Sequence, residues 1–391
     1  MAASVLHTIT DLNVGGAEVM LARFIGELDR NSFSSTVLSL LTPGPMGTRI
    51  ESNSKVMSIG MTHRPRPRDL IRLNQSVAQA TPDLVHGWMY HGNLAASIGS
   101  LSTFRSTPVI WSVHHTLEDI TLEKRSTQYL IKILAWLSGH VDAICYCSKI
   151  AATQHERHGF SPRRRRVIPN GVDCDEFRPS EEARSKLTRL LRIPPERQII
   201  GNVARDHPMK DHGNLVGAVA ELVRSGHDVH GVIIGVGEDN DGINQVARDQ
   251  GISSRISTLG TRLDVPALVP GFDVFALSSW TEAFPLGVAE AMASGVPVVT
   301  TAVGDCPWIV GDTGKVVPPR NSLALAAALA ELLELPRETR RDLGVQARRR
   351  VIDNFSLSQY VRRHVELYEE VLSLRARRSG TPQERLRLRS E

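Results

Sequence analysis

The stretch SSWTEAFPLGVAEAMASGVPVVTT, residues 278–301, decides the fold of this chain. It follows a four-residue apolar run at 274–277, which is typical of a buried strand in a parallel sheet. Loop-forming residues come next, a helix is predicted from 286 or 287 to 293, and a second strand over 296–301. This strand–helix–strand pattern predicts a parallel α/β sheet, in which ligands bind beyond the carboxyl ends of the strands.

Two carboxylates mark this stretch. Glu282 lies in the predicted loop, and Glu290 is the only charged residue between Glu282 and Asp305. A carboxylate in so apolar a helix is costly to bury without a partner. Two interpretations follow: Glu290 faces solvent, or it accepts hydrogen bonds from the vicinal hydroxyls of a ribose.

The start of the same helix is predicted to bind an anion. Its first backbone N–H groups, at Leu286, Gly287 and Val288, are expected to be free. Together with the positive end of the helix dipole, they suit a phosphate.

The frame TEAFPLGVAEAMASGVPVV, with its Glu-x7-Glu spacing, resembles the signature of the retaining GT-B glycosyltransferases of family 4. The family usually has Gly-Phe-Gly after the first glutamate, where this chain has Ala283-Phe284-Pro285, a difference that bears on the loop around the donor sugar. The resemblance covers nearly the whole chain outside its tail. It implies two Rossmann-like domains with parallel sheets facing an interdomain cleft. It also implies metal-independent sugar transfer from a nucleotide-sugar donor, with retention at the anomeric carbon.

Two motifs in the first half of the chain also carry the resemblance. Gly15-Gly16 follows the first predicted strand and forms either a tight turn or a close approach to a ligand; the family's Gly-Gly loop meets the donor phosphate or the acceptor. A strand over 108–113 ends at His114-His115. A neutral imidazole there can donate to a sugar hydroxyl or a developing charge. A lone histidine is usually structural, but the resemblance implies a functional one here and favours His114 over His115.

The segment 87–92, GWMYHG, holds two aromatic residues and a histidine between glycines. It is predicted either to face a sugar or to pack the domain.

In the second half, Arg205 and Lys210 bracket a proline-containing loop, and two cations so placed suit a diphosphate. They resemble the family's Arg-x4-Lys pair, and Leu263 lies where the family holds the base. The resemblance assigns the ribose to Glu290 and the hydroxyls of the donor sugar to Glu282. A donor phosphate oxygen then takes the acceptor proton, and His114 positions a group or stabilises charge.

The predicted site divides into two sets. The predicted catalytic residues are His114, Glu282, Arg205 and Lys210. The predicted donor-binding residues are Gly15, Gly16, Arg205, Lys210, Leu263, Leu286, Gly287, Val288 and Glu290. No metal and no further cofactor is expected, because Asp173-Cys174-Asp175, which has the Asp-x-Asp form, falls in a predicted linker.

The length of 391 residues favours two domains. The expected organisation is an N-terminal domain at 1–168 completed by a helix at 357–374, a linker at 169–197, a C-terminal domain at 198–356 and a basic, disordered tail at 375–391. No apolar segment long enough to span a membrane and no leader peptide is predicted. The four cysteines fit no zinc or redox motif, so a cytoplasmic protein is expected.

The chain has a net charge of +4, but its sequence lacks the alternating basic and aromatic residues that are typical of nucleic-acid binders. No nucleic-acid partner is therefore expected. The arginine run at 163–166, with Arg64, Arg66 and Arg68, predicts peripheral contact with an anionic membrane. The expected partners are a UDP- or GDP-sugar donor and a glycan or lipid-linked acceptor. Two alternatives stay open: another GT-B enzyme, such as a nucleotide-sugar epimerase or a phosphorylase, and a non-catalytic module that binds a glycan or a partner.

Overall fold

The computed structural model describes residues 2–62, 65–101, 107–237 and 240–379. The chain divides into two units: the first is Met1–Gly171 together with the segment that starts at Ser358, and the second is Val172–Leu357.

The first unit is built on a parallel sheet with strand order β3-β2-β1-β4-β5-β6-β7. Every residue of β4, β5 and β6 is buried, as expected for strands covered on both faces. Its strands, within the described residues, are β1 (Ala3–Ile9), β2 (Phe33–Ser39), β3 (Lys55–Ser58), β4 (Leu84–Trp88), β5 (Val109–Val113), β6 (Ala143–Tyr146) and β7 (Arg165–Val167).

Helices connect these strands, and their apolar faces close the core around Trp111, Tyr146 and Phe160. They are α1 (Gly16–Glu27), α2 (Gly44–Glu51), α3 (Pro67–Ala80), α4 (Met89–Leu101), α5 (Arg125–Leu137) and α6 (Lys149–Arg157).

The second unit has its own parallel sheet, with strand order β10-β9-β8-β11-β12-β13. The order reverses between β8 and β11, and such a switch point opens a crevice at the carboxyl edge of the sheet. The strands described in this unit are β8 (Gln198–Val203), β9 (Val229–Ile234), β10 (Ile256–Thr258), β11 (Val274–Leu277), β12 (Val298–Thr301) and β13 (Lys315–Val317).

The helices of the second unit are α7 (Ala183–Leu191), α8 (His212–Arg224), α9 (Asp241–Asp249), α10 (Val265–Leu268), α11 (Leu286–Ala293), α12 (Cys306–Val310), α13 (Ser322–Leu333) and α14 (Arg337–Phe355). The last helix, α15 (Leu357–Ser379), continues into the first unit. There the Tyr368 hydroxyl and Nδ1 of His86 share a 2.6 Å hydrogen bond.

The two parallel α/β sheets confirm the predicted fold class. Around the deciding stretch, β11 and α11 have the predicted bounds, whereas β12 starts two residues late, at Val298. The delay arises because the Val296 amide still donates to the Ala291 carbonyl at the end of α11, and Gly295 turns the chain with a φ of +75°.

Two parts of the chain differ from their predicted local structure. Helix α7 lies within the segment 169–197 that was predicted as a linker. Residues 375–379, the start of the predicted disordered tail, are helical, and residues 380–391 lie outside the described part of the chain.

Candidate functional site

An ion pair joins two loops at the carboxyl edge of the second sheet. Nζ of Lys210, in the loop after β8, lies 2.6 Å from Oε1 of Glu282, in the loop after β11. The hydroxyl of Ser279 donates to the same carboxylate oxygen at 2.7 Å. The structure therefore brings together a cation predicted to bind the diphosphate and a carboxylate predicted to bind the donor sugar.

Backbone hydrogen bonds hold these two loops against each other. The Trp280 amide donates to the Met209 carbonyl at 3.0 Å, and the indole N–H of Trp280 donates to the Pro208 carbonyl at 3.1 Å. The Ser278 hydroxyl donates to the Lys210 carbonyl at 2.8 Å. These three hydrogen bonds fix the backbone around Lys210 and therefore the position from which its side chain extends.

A glycine outside the predicted site packs directly against the Glu282 loop. Gly304, after β12, has a φ of +53°, and a Cβ there would lie 2.1 Å from the Glu282 carbonyl oxygen. The next residue, Asp305, donates its amide to the Ala283 carbonyl at 3.1 Å. Only glycine fits this approach. The signal available in the sequence was a glycine just beyond the carboxyl end of a strand.

Helix α11 begins as predicted but offers fewer free amides. The Val288 amide, predicted to be free, donates to the Pro285 carbonyl at 3.2 Å, so that it is used within the first turn. Leu286 and Gly287 precede the first bond of the helix, and their amides have no acceptor within it. Glu290 is partly buried and lies one turn after Leu286, with its Cα–Cβ bond tilted toward the start of the helix.

Two further predicted donor residues are exposed at the same edge. Arg205 follows β8, and its carbonyl oxygen lies 3.3 Å from Nε2 of His212, at the start of α8. Leu263 is fully exposed. It lies between Arg262 and Asp264, whose Nε and Oδ1 atoms are 2.8 Å apart. The hydrogen bond from Arg262 holds the pKa of Asp264 well below its usual range, so this short segment is fixed by an ion pair.

In the first unit, His114 lies at the end of β5, and a neighbouring side chain determines which of its ring nitrogens carries the proton. Its Nδ1 is 3.0 Å from Oδ1 of Asn170. Because an amide oxygen only accepts, Nδ1 carries the proton and Nε2 is an acceptor rather than the expected donor. Asn170 falls in the segment 169–197 that was predicted as a linker, and its contact with His114 spans 56 positions.

The surroundings of His114 keep its ring neutral. The ring stacks on Trp88 with centroids 5.4 Å apart, and the backbone amide donates to the Met89 sulfur at 3.3 Å. Burial lowers the pKa of His114 to about 4, although its hydrogen bond with Asn170 acts in the opposite direction. A neutral ring with a fixed tautomer suits hydrogen bonding to a hydroxyl better than cationic charge stabilisation.

In the adjacent segment 87–92, the two aromatic residues pack the domain, whereas His91 is exposed. Trp88 and Tyr90 are buried, and the Tyr90 hydroxyl and Nε2 of His155 are 2.8 Å apart. His115 differs from His114 because its Nε2 pairs with Glu123 at 2.7 Å.

The two glycines at the start of α1, the N-cap Gly15 and the first helical residue Gly16, have different surroundings. A Cβ at Gly15 would lie 2.3 Å from an oxygen of Glu18, whereas a Cβ at Gly16 would meet no described atom within 4 Å. The packing of the described chain therefore does not require glycine at position 16.

Two other clusters bear on metal binding. Ligand atoms of His86, Cys145 and His364 lie within 4.8 Å of one another, but both nitrogens of His86 already take part in hydrogen bonds, with Tyr368 and Ser112. This cluster is part of the hydrogen-bonded core. In the Asp-x-Asp segment, Oδ1 of Asp173 accepts from the amides of Asp175 and Glu176 at 3.0 and 2.9 Å, so this carboxylate caps a turn.

Two family models match the chain. Residues 14–176 match the model described as Glycosyltransferase Family 4, and residues 184–350 match the model described as Glycosyl transferases group 1.

Curated relatives include two bacterial proteins. The chain is 34% identical over 218 residues to the MMP alpha-(1->4)-mannosyltransferase of Mycolicibacterium hassiacum, covering 54% of this chain and 50% of that protein. It is 27% identical over 372 residues to the putative glycosyltransferase EpsF of Bacillus subtilis, covering 89% of this chain and 94% of that protein. The match thus spans half the length of the mannosyltransferase and nearly all of EpsF.

Solved structures share the fold. The Anabaena protein HepE in complex with UDP superimposes with a TM-score of 0.81 at 20% identity, covering 94% of this chain and 100% of that chain. At this identity the likeness shows the fold alone. The chain thus carries a glycosyltransferase family 4 domain followed by a glycosyl transferases group 1 domain.

Proposed function

We propose that this chain transfers a sugar from a nucleotide-sugar donor to an acceptor, with retention and without a metal. The observation that carries the proposal is the 2.6 Å contact between Lys210 and Glu282. An ammonium group suits the donor diphosphate, and a neighbouring carboxylate suits the hydroxyls of the sugar attached to it. One donor molecule joins these two chemistries, with its sugar covalently bound to its diphosphate.

The other predicted residues supply the remaining contacts of a donor. Arg205 and the amides of Leu286 and Gly287 face the charge that develops on the leaving diphosphate, which is where preorganised donors accelerate a reaction most. Glu290 accepts from the ribose hydroxyls, and the exposed Leu263 contacts the base. The two cations, Arg205 and Lys210, supply positive charge to the diphosphate, and the start of α11 supplies backbone donors. The proposed reaction therefore proceeds without a metal ion.

In the first unit, Gly16 leaves room for the donor phosphate or the acceptor, and Nε2 of His114 accepts from a sugar hydroxyl. A donor phosphate oxygen receives the acceptor's proton, so that the neutral ring has a positioning role. We favour a UDP-sugar as the donor because HepE has been solved in complex with UDP and with UDP-glucose. A GDP-sugar is the second choice.

Nucleotide release from UDP- and GDP-sugars by the full chain, in the presence and absence of glycan acceptors, tests this proposal. Transfer should persist in EDTA, and the anomeric configuration of the product by NMR should match that of the donor. An isomerised nucleotide sugar without an acceptor would indicate an epimerase, and a requirement for inorganic phosphate a phosphorylase. Failure to release nucleotide from any donor would leave a binding module.

We further propose that the acceptor is a glycan or a lipid-linked sugar that the first unit meets at an anionic membrane. The predicted arginine cluster supports this only in part. Arg165 pairs with Glu156 at 3.3 Å and Arg166 with Glu370 at 2.7 Å, so two of the four arginines at 163–166 are neutralised. Arg64 lies outside the described residues, and no helix in the described chain is both long and apolar enough to cross a bilayer.

Helix α5 offers a stronger surface for such contact. Its outward stripe is apolar: Tyr129, Ile133 and Trp136 are 67%, 48% and 74% exposed and recur at helical spacing. Lys132 lies in the same stripe, with its Nζ 5.9 Å from the centre of the Tyr129 ring. Aromatic rings with adjacent lysines are typical of helices that lie in the membrane interface.

The end of the helix also adjoins one arginine of the run, Arg164. The Arg164 guanidinium donates to the Gly139 carbonyl at 3.4 Å, just beyond the end of α5. The support for this surface is the coincidence of exposed apolar area and basic charge.

Co-sedimentation with vesicles tests the surface. The parent should bind vesicles that contain phosphatidylglycerol and hardly bind phosphatidylcholine alone. Trp136→Ala should weaken binding about tenfold, as expected for loss of one large apolar side chain from the interface. Leu323→Ala, which truncates an apolar residue that is 64% exposed in the second unit, is the matched control. Binding indifferent to anionic lipid, or an equal effect of the control, would remove the membrane from the proposal.

A further inference from the structure

A surface cavity of about 430 Å³ lies in the second unit, next to the 208–210 loop that carries Lys210. Its volume falls in the range of about 300–1,000 Å³ that is common for small-molecule sites. Its lining residues are Pro208, Asp211, Asn214, Trp280, Arg320 and Ser322. We propose that this cavity binds a sugar ring that carries an anionic group, a uronate or a sugar phosphate. The proposal concerns binding only and stands whether or not the chain transfers a sugar.

The positive end of two helices lies at the cavity. Asp211 is the N-cap of α8, and Ser322 is the first residue of α13. The exposed guanidinium of Arg320 lies beside the start of α13. The Asp211 carboxylate is directed to the start of α8, where it accepts from the Asn214 amide at 3.4 Å. Each helix start is already capped by a side chain, Asp211 in α8 and Asn321 in α13, so the preference of the cavity for an anion rests on the Arg320 guanidinium, with the two helix N-termini beside it.

An unpartnered donor points independently to a ligand. Asn214 is only 8% exposed, and its Nδ2 makes no hydrogen bond within the described chain. A buried donor without an acceptor is costly, and native structures rarely retain one without a reason. Because Asn214 lines the cavity, half a turn of its carboxamide would direct Nδ2 to a carboxylate, phosphate or hydroxyl oxygen of a ligand.

An aromatic plane adds the preference for a sugar. The Trp280 ring is held by its indole bond to the Pro208 carbonyl at 3.1 Å. The Arg320 guanidinium lies 4.9 Å from the centre of that ring, as in a cation–π pair. A rigid apolar plane matches the C–H face of a pyranose, and the adjacent guanidinium matches a carboxylate or phosphate. A simple inorganic anion would contact only the guanidinium of Arg320 and gain nothing from the Trp280 ring.

Backbone strain is concentrated at this cavity. Within the described residues, five non-glycine residues have a φ in the left-handed region, and two of them, Asp211 at 47° and Arg320 at 57°, line it. Residues in such conformations tend to cluster at functional sites, where the surrounding structure holds them in place despite the energetic cost of the strain. Here the strained backbone sets the positions of both charged side chains.

Calorimetry on the full chain without donor tests the proposal, using glucuronate, glucose 1-phosphate, glucose and inorganic phosphate as probes. Glucuronate or glucose 1-phosphate should bind at least tenfold more tightly than both glucose and inorganic phosphate. The tighter of the two identifies whether the anionic group is a carboxylate or a phosphate. Arg320→Gln should weaken that binding at least tenfold, and Arg320→Lys, which keeps the charge but not the planar fork, should have an intermediate effect.

Arg341→Gln removes an exposed arginine elsewhere in the same unit and is the matched control. Because Arg320 is exposed, its variants should unfold at the temperature of the parent. Equal affinity for inorganic phosphate and the acidic sugars would overturn the sugar assignment. An absence of binding by either acidic sugar, or binding that Arg320→Gln leaves unchanged, would overturn the site itself.

Discussion

The carboxyl edges of the two sheets handle polar groups in opposite ways. In the first unit, His114 lies in a stack of buried rings, and burial keeps it neutral. In the second unit, Nζ of Lys210 and Oε1 of Glu282 pair at 2.6 Å, while backbone carbonyls fix the loops that carry these two residues. The first edge is suited to recognising neutral hydroxyls and the second to holding an anion.

The largest expected effect tests the charged edge. Lys210→Ala removes the ammonium group that we propose to face the charge developing on the leaving diphosphate. Turnover should fall about 10²- to 10³-fold, as for the loss of one preorganised donor. Lys315→Ala, which removes a lysine from a surface ion pair with Glu331 in the same unit, is the control and should change turnover little. Steady-state kinetics with the preferred donor measure both, and a twofold loss at Lys210 would contradict the contrast between the edges.

The next effect separates the two glutamates of the charged edge. Glu290→Gln should weaken binding of the nucleoside, the diphosphate and the intact donor by about 1.5–3 kcal/mol, because all three share the ribose. Glu282→Gln should leave the affinity for the diphosphate nearly unchanged and reduce transfer, since its proposed partner is the sugar. Calorimetry with the three ligands distinguishes the roles, and Glu331→Gln serves as a surface control. If Glu290→Gln bound the nucleoside as tightly as the parent does, the ribose role would be wrong and Glu290 would be interpreted as facing solvent.

Acid titration tests the neutral edge through stability. Burial lowers the pKa of His7 to about 3 and of His364 to about 4 in the folded first unit, whereas an unfolded histidine titrates near its ordinary 6.5. Below 6.5 the unfolded chain binds protons that the folded unit excludes, so stability falls as the pH drops from 6.5 to about 4. At about pH 5 each such histidine should cost about 2 kcal/mol of the free energy of unfolding.

Urea unfolding at about pH 7.5 and about pH 5 measures this loss, and hydrogen exchange assigns it to a unit. His364→Asn keeps a donor for the Tyr360 carbonyl, which His364 Nδ1 contacts at 3.0 Å, but does not titrate. It should reduce the pH-dependent loss by about 2 kcal/mol. His140→Asn, at an exposed position, should leave it unchanged. An equal slope in both variants would place the acid sensitivity elsewhere.

How far the sequence predicted these edges depends on how local each feature is. The apolar run at 274–277 and the helix after it define β11 and α11 by themselves. Strands β3 and β13 have only four and three residues at sheet edges, and pairing with a neighbour, rather than their own pattern, makes them strands.

The contacts of the candidate site are less local still. Lys210 and Glu282 are 72 positions apart and His114 and Asn170 are 56 apart, so local patterns cannot indicate either pair. The resemblance to family 4 placed Lys210 and Glu282 in one donor site without predicting their contact, and neither local pattern nor resemblance indicated the second pair. The fold and the two glycosyltransferase domains are confirmed, whereas the roles of the individual residues stay predictions.

The smallest effect concerns the ring that faces the hydroxyls. His114→Ala removes one neutral hydrogen-bond acceptor, which is worth about 0.5–1.5 kcal/mol, so turnover should fall up to about tenfold while donor affinity changes little. His115→Ala should do less, because the His115 ring is engaged with Glu123 at 2.7 Å.

The bond to Asn170 offers the sharper version of this test. Asn170→Leu removes the acceptor that keeps the proton on Nδ1 of His114, so both tautomers become accessible and turnover should fall nearly as far as in His114→Ala. Because burial holds the pKa of His114 at about 4, the parent's turnover should not decline through protonation of this ring between about pH 8 and pH 5. A bell-shaped profile with a midpoint near 6.5 that His114→Ala abolishes would mean that the ring titrates normally. Its contrast with the charged edge would then disappear.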